Sequence, residues 1–233
     1  MNNPRLAILT FIATGMFCAL AVHAQTQNPS IRIMPLGDSI TDGSPTPGGY
    51  RYPLYVALTN AGYNVDYVGT LTINPTNALG LEVNHEGHSG WKISDATVGL
   101  YENMFGWLEA IDDPHVVLIH IGTNDSGGGN LFTNAVDRLD ALITRIALCQ
   151  PSANIIVTSL MPRGEPYNTY ITNYFNPFIP GKVAAQQALG RHVTFLALLA
   201  IALESTHDGP MLVWHPNDKF ADFKRSTGLD GFA

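Results

Sequence analysis

Cysteine is nearly absent: the 233 residues hold two, Cys18 and Cys149. Cys18 sits in an amino-terminal apolar stretch, and without that stretch Cys149 stands alone. No disulfide within the mature chain is then possible, and a single thiol ending an amphipathic helix pattern reads as buried rather than reactive. Charge is also sparse, with Asp, Glu, Lys and Arg making up 13% of residues and a net charge of −7. The few basic residues are scattered, which excludes a nucleic-acid surface and fits a neutral substrate. No proline- or serine-rich linker divides the chain. It has no internal repeat, no low-complexity segment and, beyond the amino terminus, no apolar run long enough to span a bilayer.

That terminus reads as a leader. Arg5 precedes the mostly apolar run from Leu6 to Val22, which is short for a membrane span. Val22-His23-Ala24 places small residues at the usual cleavage positions. Residues 1–24 therefore read as a secretory signal peptide cut before Gln25, and the protein is expected to be secreted or periplasmic. The alternative is an uncleaved anchor; Cys18 lacks the small-residue context of a lipidation site. Residues 25–233, about 209, suit one domain with a sizeable core and no membrane association after cleavage. A monomer is expected.

Strand and helix patterns alternate along the rest. Ile31–Leu36, Val65–Val68, Val116–Ile121, Ile155–Leu160 and Val193–Leu196 read as strands, and the third is almost wholly apolar, as a strand covered on both faces would be. Tyr52–Ala61 reads as a helix closed by Gly62. A second helix, capped by Ser94 or Asp95, should run towards Ala110. The clearest helix carries Phe132, Ala135, Val136, Leu139, Leu142, Ile143 and Ile146 on one stripe, with Asp137, Arg138, Asp140 and Arg145 on the other faces. A last helix is expected over Lys182–Leu189. The α/β alternation predicts a five-stranded parallel sheet with helices on both sides.

Three loops should open on the carboxyl edge of that sheet, where such folds bind ligands. They are Gly37-Asp38-Ser39-Ile40-Thr41, His85-Glu86-Gly87-His88-Ser89-Gly90-Trp91 and Gly122-Thr123-Asn124-Asp125. A serine at such an edge becomes a nucleophile only with a base and with donors for the oxyanion. A glycine amide, an asparagine side chain and the serine's own amide would supply three donors. His215, followed by Pro216-Asn217, could serve as base.

Gly37-Asp38-Ser39, the glycine of Ser89-Gly90, Gly122-Thr123-Asn124-Asp125 and His215-Pro216-Asn217 resemble, in order, the blocks of the SGNH (GDSL-type) hydrolase superfamily. The resemblance implies a flavodoxin-like three-layer α/β/α sandwich with a five-stranded parallel sheet. It makes Ser39 the nucleophile, His215 the base, and Gly90 and Asn124 the oxyanion donors beside the Ser39 amide. More narrowly, Ile33-Met34-Pro35-Leu36-Gly37-Asp38-Ser39, Gly49-Tyr50-Arg51, the stretch from His85 to Trp91 and Ile179-Pro180-Gly181 resemble carbohydrate esterase family three, which includes secreted acetyl xylan esterases. That implies an acetylated plant cell-wall polysaccharide as substrate and no cofactor. The carboxyl end departs from the family's Asp-Gly-x-His: Asp208 precedes His215 by seven residues instead of three. Either Asp208 still orients the imidazole or a backbone carbonyl does. A lipid or aryl esterase of the same superfamily, and a carbohydrate-binding homologue without a working base, are the alternatives.

Other residues have plainer readings. Asp38 should organise its turn and Asp125 should brace the Asn124 loop. His85 and His88 lack a nearby third ligand, so no metal site is expected. Trp91, Trp214 and Tyr50 are candidates for contacting substrate; Trp91 fits a core position equally well, and Arg51 fits a tie between loops. His207 is a weaker alternative to His215. The leader makes one direct prediction. The exported protein should begin at Gln25, and an intact mass that retains residues 1–24 would overturn it.

Overall fold

The computed structural model describes residues 29–44, 48–72, 84–127 and 134–198. The expected signal peptide, Asp208, Trp214 and His215 lie outside the described residues. In chain order the elements are β1 (Ile31–Gly37), α1 (Ser39–Asp42), α2 (Arg51–Asn60), β2 (Val65–Tyr67), β3 (Glu86–Gly87), α3 (Leu100–Ala110), β4 (Val116–His120), α4 (Ala135–Cys149), β5 (Asn154–Thr158), α5 (Tyr167–Tyr170), α6 (Ile179–Ala188) and β6 (Val193–Leu196).

The named strands all pair in parallel, in the order β2-β1-β4-β5-β6. The short β3 adds to the carboxyl end of β1 through Leu36↔Glu86 and Gly37↔Gly87. Successive strand residues face opposite sides. Ile31, Ile33, Val116, Leu118 and Ile156 pack with Leu54 and Leu58 of α2. Met34, Leu36, Val117, Ile119, Ile155 and Val157 meet α3, α4 and α6 on the other side. The helices thus form the outer layers of an α/β/α sandwich. Both sheet faces are covered, which is why β1 and β4 lack polar alternation. Each such aliphatic side chain contributes about 1.5–3 kcal/mol relative to exposure.

The order has one reversal. From β1 the chain steps outward to β2 and returns to β4 on the far side of β1. Loops leaving β1 and β4 therefore diverge and open a crevice at their carboxyl ends. Ser39 follows β1 directly and Asn124 lies four residues beyond β4.

The structure departs from the sequence expectation in three places. A sixth strand, β3, is present; two residues are too few for a periodic signal. The helix expected from Ser94 or Asp95 begins only at Leu100. Asp95 instead caps a local turn, accepting from the Thr97 and Val98 amides. The chain then folds back, so that Leu100 and Tyr101 donate to the carbonyls of Lys92 and Ile93. Those carbonyls satisfy first-turn amides that a side-chain cap would otherwise take. The last helix starts at Ile179 rather than Lys182 and continues a helical run from Tyr167, through a π-helical turn at Ile171–Phe175 and a tight turn at Asn176–Phe178. Pro177 and Pro180 hid this run in the sequence, but both stand in first turns, where a proline costs no hydrogen bond.

The β1–β4 pairing leaves no room at Gly37. A β-carbon there would lie 2.2 Å from the His120 carbonyl oxygen and 2.3 Å from Thr41 Oγ1. Gly37→Ala should cost about 1–3 kcal/mol as the backbone yields. An unchanged urea midpoint would contradict this.

Candidate active site

Asp38 follows β1 directly and caps α1, its Oδ1 accepting from the Ile40 amide at 3.0 Å. One turn later Asp42 donates to the Asp38 carbonyl, and Gly43 and Ser44 donate to that of Ser39. Ser39 is the first residue of α1, so its amide has no acceptor within the helix. Neither that amide nor its hydroxyl finds a partner among the described residues. The serine is thus held by backbone on all sides while its reactive groups stay uncommitted.

The turn is fastened from below. Arg51 is buried, and its Nε donates to the Thr41 carbonyl at 2.8 Å while Nη2 donates to that of Asp42 at 3.1 Å. Burial draws the guanidinium below its usual range, opposed by nearby Tyr50, Tyr67 and Asp42. Arginine titrates so high that it stays charged. Arg51 thus proves to be a tie between structural parts. Tyr50 turns its hydroxyl to Thr41 Oγ1 at 3.3 Å, and burial pushes it up to about 12.

The Gly90 loop is fixed at two points. His88 donates to the Gly37 carbonyl at 2.9 Å, and Ser89 Oγ donates to Asp42 Oδ2 at 2.6 Å. His88 to Trp91 forms a tight turn closed by the Trp91 amide on the His88 carbonyl. Gly90 occupies it at φ +82°, a conformation L side chains seldom adopt. Its amide is uncommitted among the described residues and lies on the surface. Trp91 is half-buried, its ring stacked on His88 at 4.3 Å; Trp107 of α3 stacks on the same imidazole at 4.4 Å. His88 Nε2 meets Glu86 Oε2 at 2.8 Å, and Glu86 also accepts from the Thr70 amide. His85 Nδ1 accepts from the Gly87 amide. Both histidines are therefore structural here. Among the described residues no three His, Cys, Asp or Glu side chains gather as a metal site.

Asn124 opens a short helical turn after β4, Asn124–Gly127. Its Nδ2 donates to the Trp91 carbonyl at 2.8 Å. That bond orients the amide, ties the loop to the Gly90 turn, and leaves the second Nδ2 hydrogen to a ligand. Asp125 braces the loop, as expected: Oδ2 accepts from the Ile93 amide at 3.1 Å and Oδ1 from Arg138 at 2.7 Å. Burial raises the Asp125 carboxyl, partly offset by Arg138 and the Ile93 amide. Ser39, Gly90 and Asn124 thus sit on three loops bonded to one another at one sheet edge. Asp42, Arg138 and Arg163 were not singled out by sequence reading. Arg138 was placed on an outer helix face, yet it reaches back to a buried acid; a cation bordering the apolar stripe was the available clue. Arg163, just past β5, gave no periodic signal.

Residues 36–222 match the GDSL-like lipase/acylhydrolase family. The chain belongs to that family. Among its relatives, the multidomain esterase of Ruminococcus flavefaciens is 32% identical over 180 residues, covering 66% of this chain; the chain spans only 23% of that relative's length. In structure, the family 3 carbohydrate esterase of Clostridium thermocellum is similar with a TM-score of 0.67 at 31% identity, over 88% of this chain and 98% of that one. An acetyl esterase mutant crystallised with an acetate ion gives 0.63 at 26% identity, over 86% and 94%. The sandwich is that of the GDSL-type hydrolases.

Behind the family's serine turn lies a buried ionisable group. His120 is enclosed, and among the described residues neither of its ring nitrogens nor Asp38 Oδ2 has a hydrogen-bond partner. Burial lowers the His120 imidazole, against an opposing pull from Asp38. His115 is lowered too, by burial and by Arg32. Below the ordinary histidine value of about 6.5 the unfolded chain takes up protons that the folded chain resists, so stability should fall as pH drops through that range. His120→Gln should flatten this dependence, read as the difference in urea midpoint between pH 7.5 and pH 5. An equally steep dependence in the variant would exclude His120 as its source.

Proposed function

We propose that this protein is a secreted serine esterase that removes acetyl groups from plant cell-wall polysaccharide, resembling acetyl xylan esterases. The observation that carries the reading is the joining of Ser39, Gly90 and Asn124 at one edge, where among the described residues the Ser39 hydroxyl, the Ser39 and Gly90 amides and the second Asn124 Nδ2 hydrogen have no partner. Likeness to a family 3 carbohydrate esterase and to an acetyl esterase supports the choice of substrate. The amino-terminal pattern supports export, since a polymer must be met outside the cell.

In this reading Ser39 Oγ attacks the acetyl carbonyl carbon while His215 accepts the hydroxyl proton. The amides of Ser39 and Gly90 and the Asn124 side chain hold the oxyanion. The tetrahedral intermediate collapses, the sugar oxygen leaves, and His215 returns the proton to it. Water, deprotonated by the same imidazole, then attacks the acetyl-enzyme, releasing acetate and Ser39. Asp208 is the candidate to orient His215. Trp91 and Trp214 are candidates for the sugar; the half-buried Trp91 ring already stacks on His88 and meets Trp107 at 5.6 Å. No cofactor enters any step.

Ser39→Ala should reduce acetate release from acetylated xylan to background while leaving the fold intact. A folded variant with wild-type release would exclude Ser39 as nucleophile. A wild-type protein inactive on xylan but active on aryl or lipid esters would keep the chemistry and replace the substrate.

A further inference from the structure

Arg163 lies in the loop that follows β5, beside the Asn124 loop that follows β4. Its Nη1 donates to the Thr123 carbonyl at 2.9 Å and to Ser126 Oγ at 3.0 Å. The Ser126 hydroxyl and amide both donate to the same Thr123 carbonyl. The guanidinium also lies over the Tyr167 ring, 4.5 Å from its centroid. Thr123 immediately precedes Asn124, so the arginine grips the peptide unit from which the Asn124 side chain departs.

Among the described residues no carboxylate pairs with Arg163. The acid two residues on, Glu165, is engaged elsewhere, accepting from the Thr169 amide and hydroxyl. The contrast with the other side of Asn124 is direct. There Arg138 meets the Asp125 carboxylate at 2.7 Å, forming a partly buried neutral pair. Asn124 is therefore held between a neutral clamp that only anchors and a cationic clamp that also adds positive potential. A negative charge developing on the ester oxygen held by the Asn124 amide would feel that potential, whereas an uncharged ester would feel little of it.

We propose that Arg163 is a positioning residue for the oxyanion-binding Asn124, holding its loop through the Thr123 carbonyl and favouring the negative tetrahedral intermediate over the neutral substrate. This rests on the reading of Asn124 as an oxyanion donor. It assigns no contact between Arg163 and the sugar, so its effect falls on kcat and not on KM.

The test is a double-mutant cycle with Asn124→Ala and Arg163→Met, using p-nitrophenyl acetate and, as a probe of the tetrahedral state, inactivation by an aryl phosphonate. Asn124→Ala should lower kcat by about 10²-fold, the loss typical of one oxyanion donor. Arg163→Met should lower kcat about tenfold or more, leave KM within about threefold, and slow phosphonate inactivation in proportion. Arg163→Lys, which keeps the charge, should recover much of the loss. In the Asn124→Ala background Arg163→Met should cost clearly less than in the wild type, because the part of its effect that positions the Asn124 amide is gone and only its field on the oxyanion remains. Full activity in folded Arg163→Met, a change confined to KM, or additivity with Asn124→Ala would each overturn the inference. Wild-type activity in Asn124→Ala would overturn the oxyanion reading beneath it. Should the methionine variant not fold, the lysine variant run through the same cycle decides, with additivity again the overturning result.

Discussion

One buried cation fixes the edge that carries the candidate site. Arg51 places its guanidinium under the serine turn, where the carbonyls of Thr41 and Asp42 would otherwise end a helix of four residues with nothing to accept from. Such a helix is far too short to be stable alone. It exists because Asp38 caps one end, Arg51 satisfies the other, and Gly37 lets the turn sit hard against β4. Asp42, whose backbone Arg51 grips, is also the anchor for Ser89. The position of Ser39 and that of the Gly90 turn are thus set by one residue pair. A buried charge of this kind is costly unless fully bonded, and here the bonds are spent on backbone that must not move. The Tyr67 hydroxyl, donating to the Arg51 carbonyl at 2.8 Å, carries the constraint on to β2.

The rest of the sandwich serves to bring three loops to one place. Reversal of strand order between β1 and β4 opens the crevice, and the two apolar faces keep those strands rigid. Within the crevice the loops are joined side chain to backbone: Ser89 to Asp42, Asn124 to the Trp91 carbonyl, Arg163 to the Thr123 carbonyl. Bonds of this kind fix geometry without consuming the groups a reaction needs. Among the described residues the Ser39 and Gly90 amides have no partner, and Asn124 spends one hydrogen of two. A preorganised hole requires that division between groups spent on structure and groups held back.

What could be read in the sequence follows from range. β1, β4, α4 and β6 were legible because burial on both faces, or a continuous apolar stripe, imprints a local period. The three site loops were legible because their order along the chain matches a family, and the fold then brings them together. β3 was not, since two residues carry no period and its pairing is set by β1, some fifty positions away. The start of α3 was misread because Asp95 satisfies a cap rule locally, while the helix takes its first acceptors from the carbonyls of Lys92 and Ile93. Arg138 and Arg163 were invisible for a related reason. Their partners lie 13 and 37–40 residues away, and a lone arginine carries no sign of which carbonyl or acid it will meet.

The two arginines around Asn124 show how similar side chains can act differently. Arg138 faces a buried acid, and as a pair they present little net field; breaking the pair would expose a charge that burial already pushes towards its neutral form. Among the described residues Arg163 faces a carbonyl, a hydroxyl and the Tyr167 ring but no acid, so its charge reaches outward. Water screens that charge while the edge is open. A polysaccharide lying across the edge would displace the water and lower the local dielectric just as the oxyanion forms. The field would then be strongest when a sugar covers the site and weakest when the site is empty. On this argument a bulky carbohydrate ester would gain more from Arg163 than a small aryl acetate would, with no contact to either required.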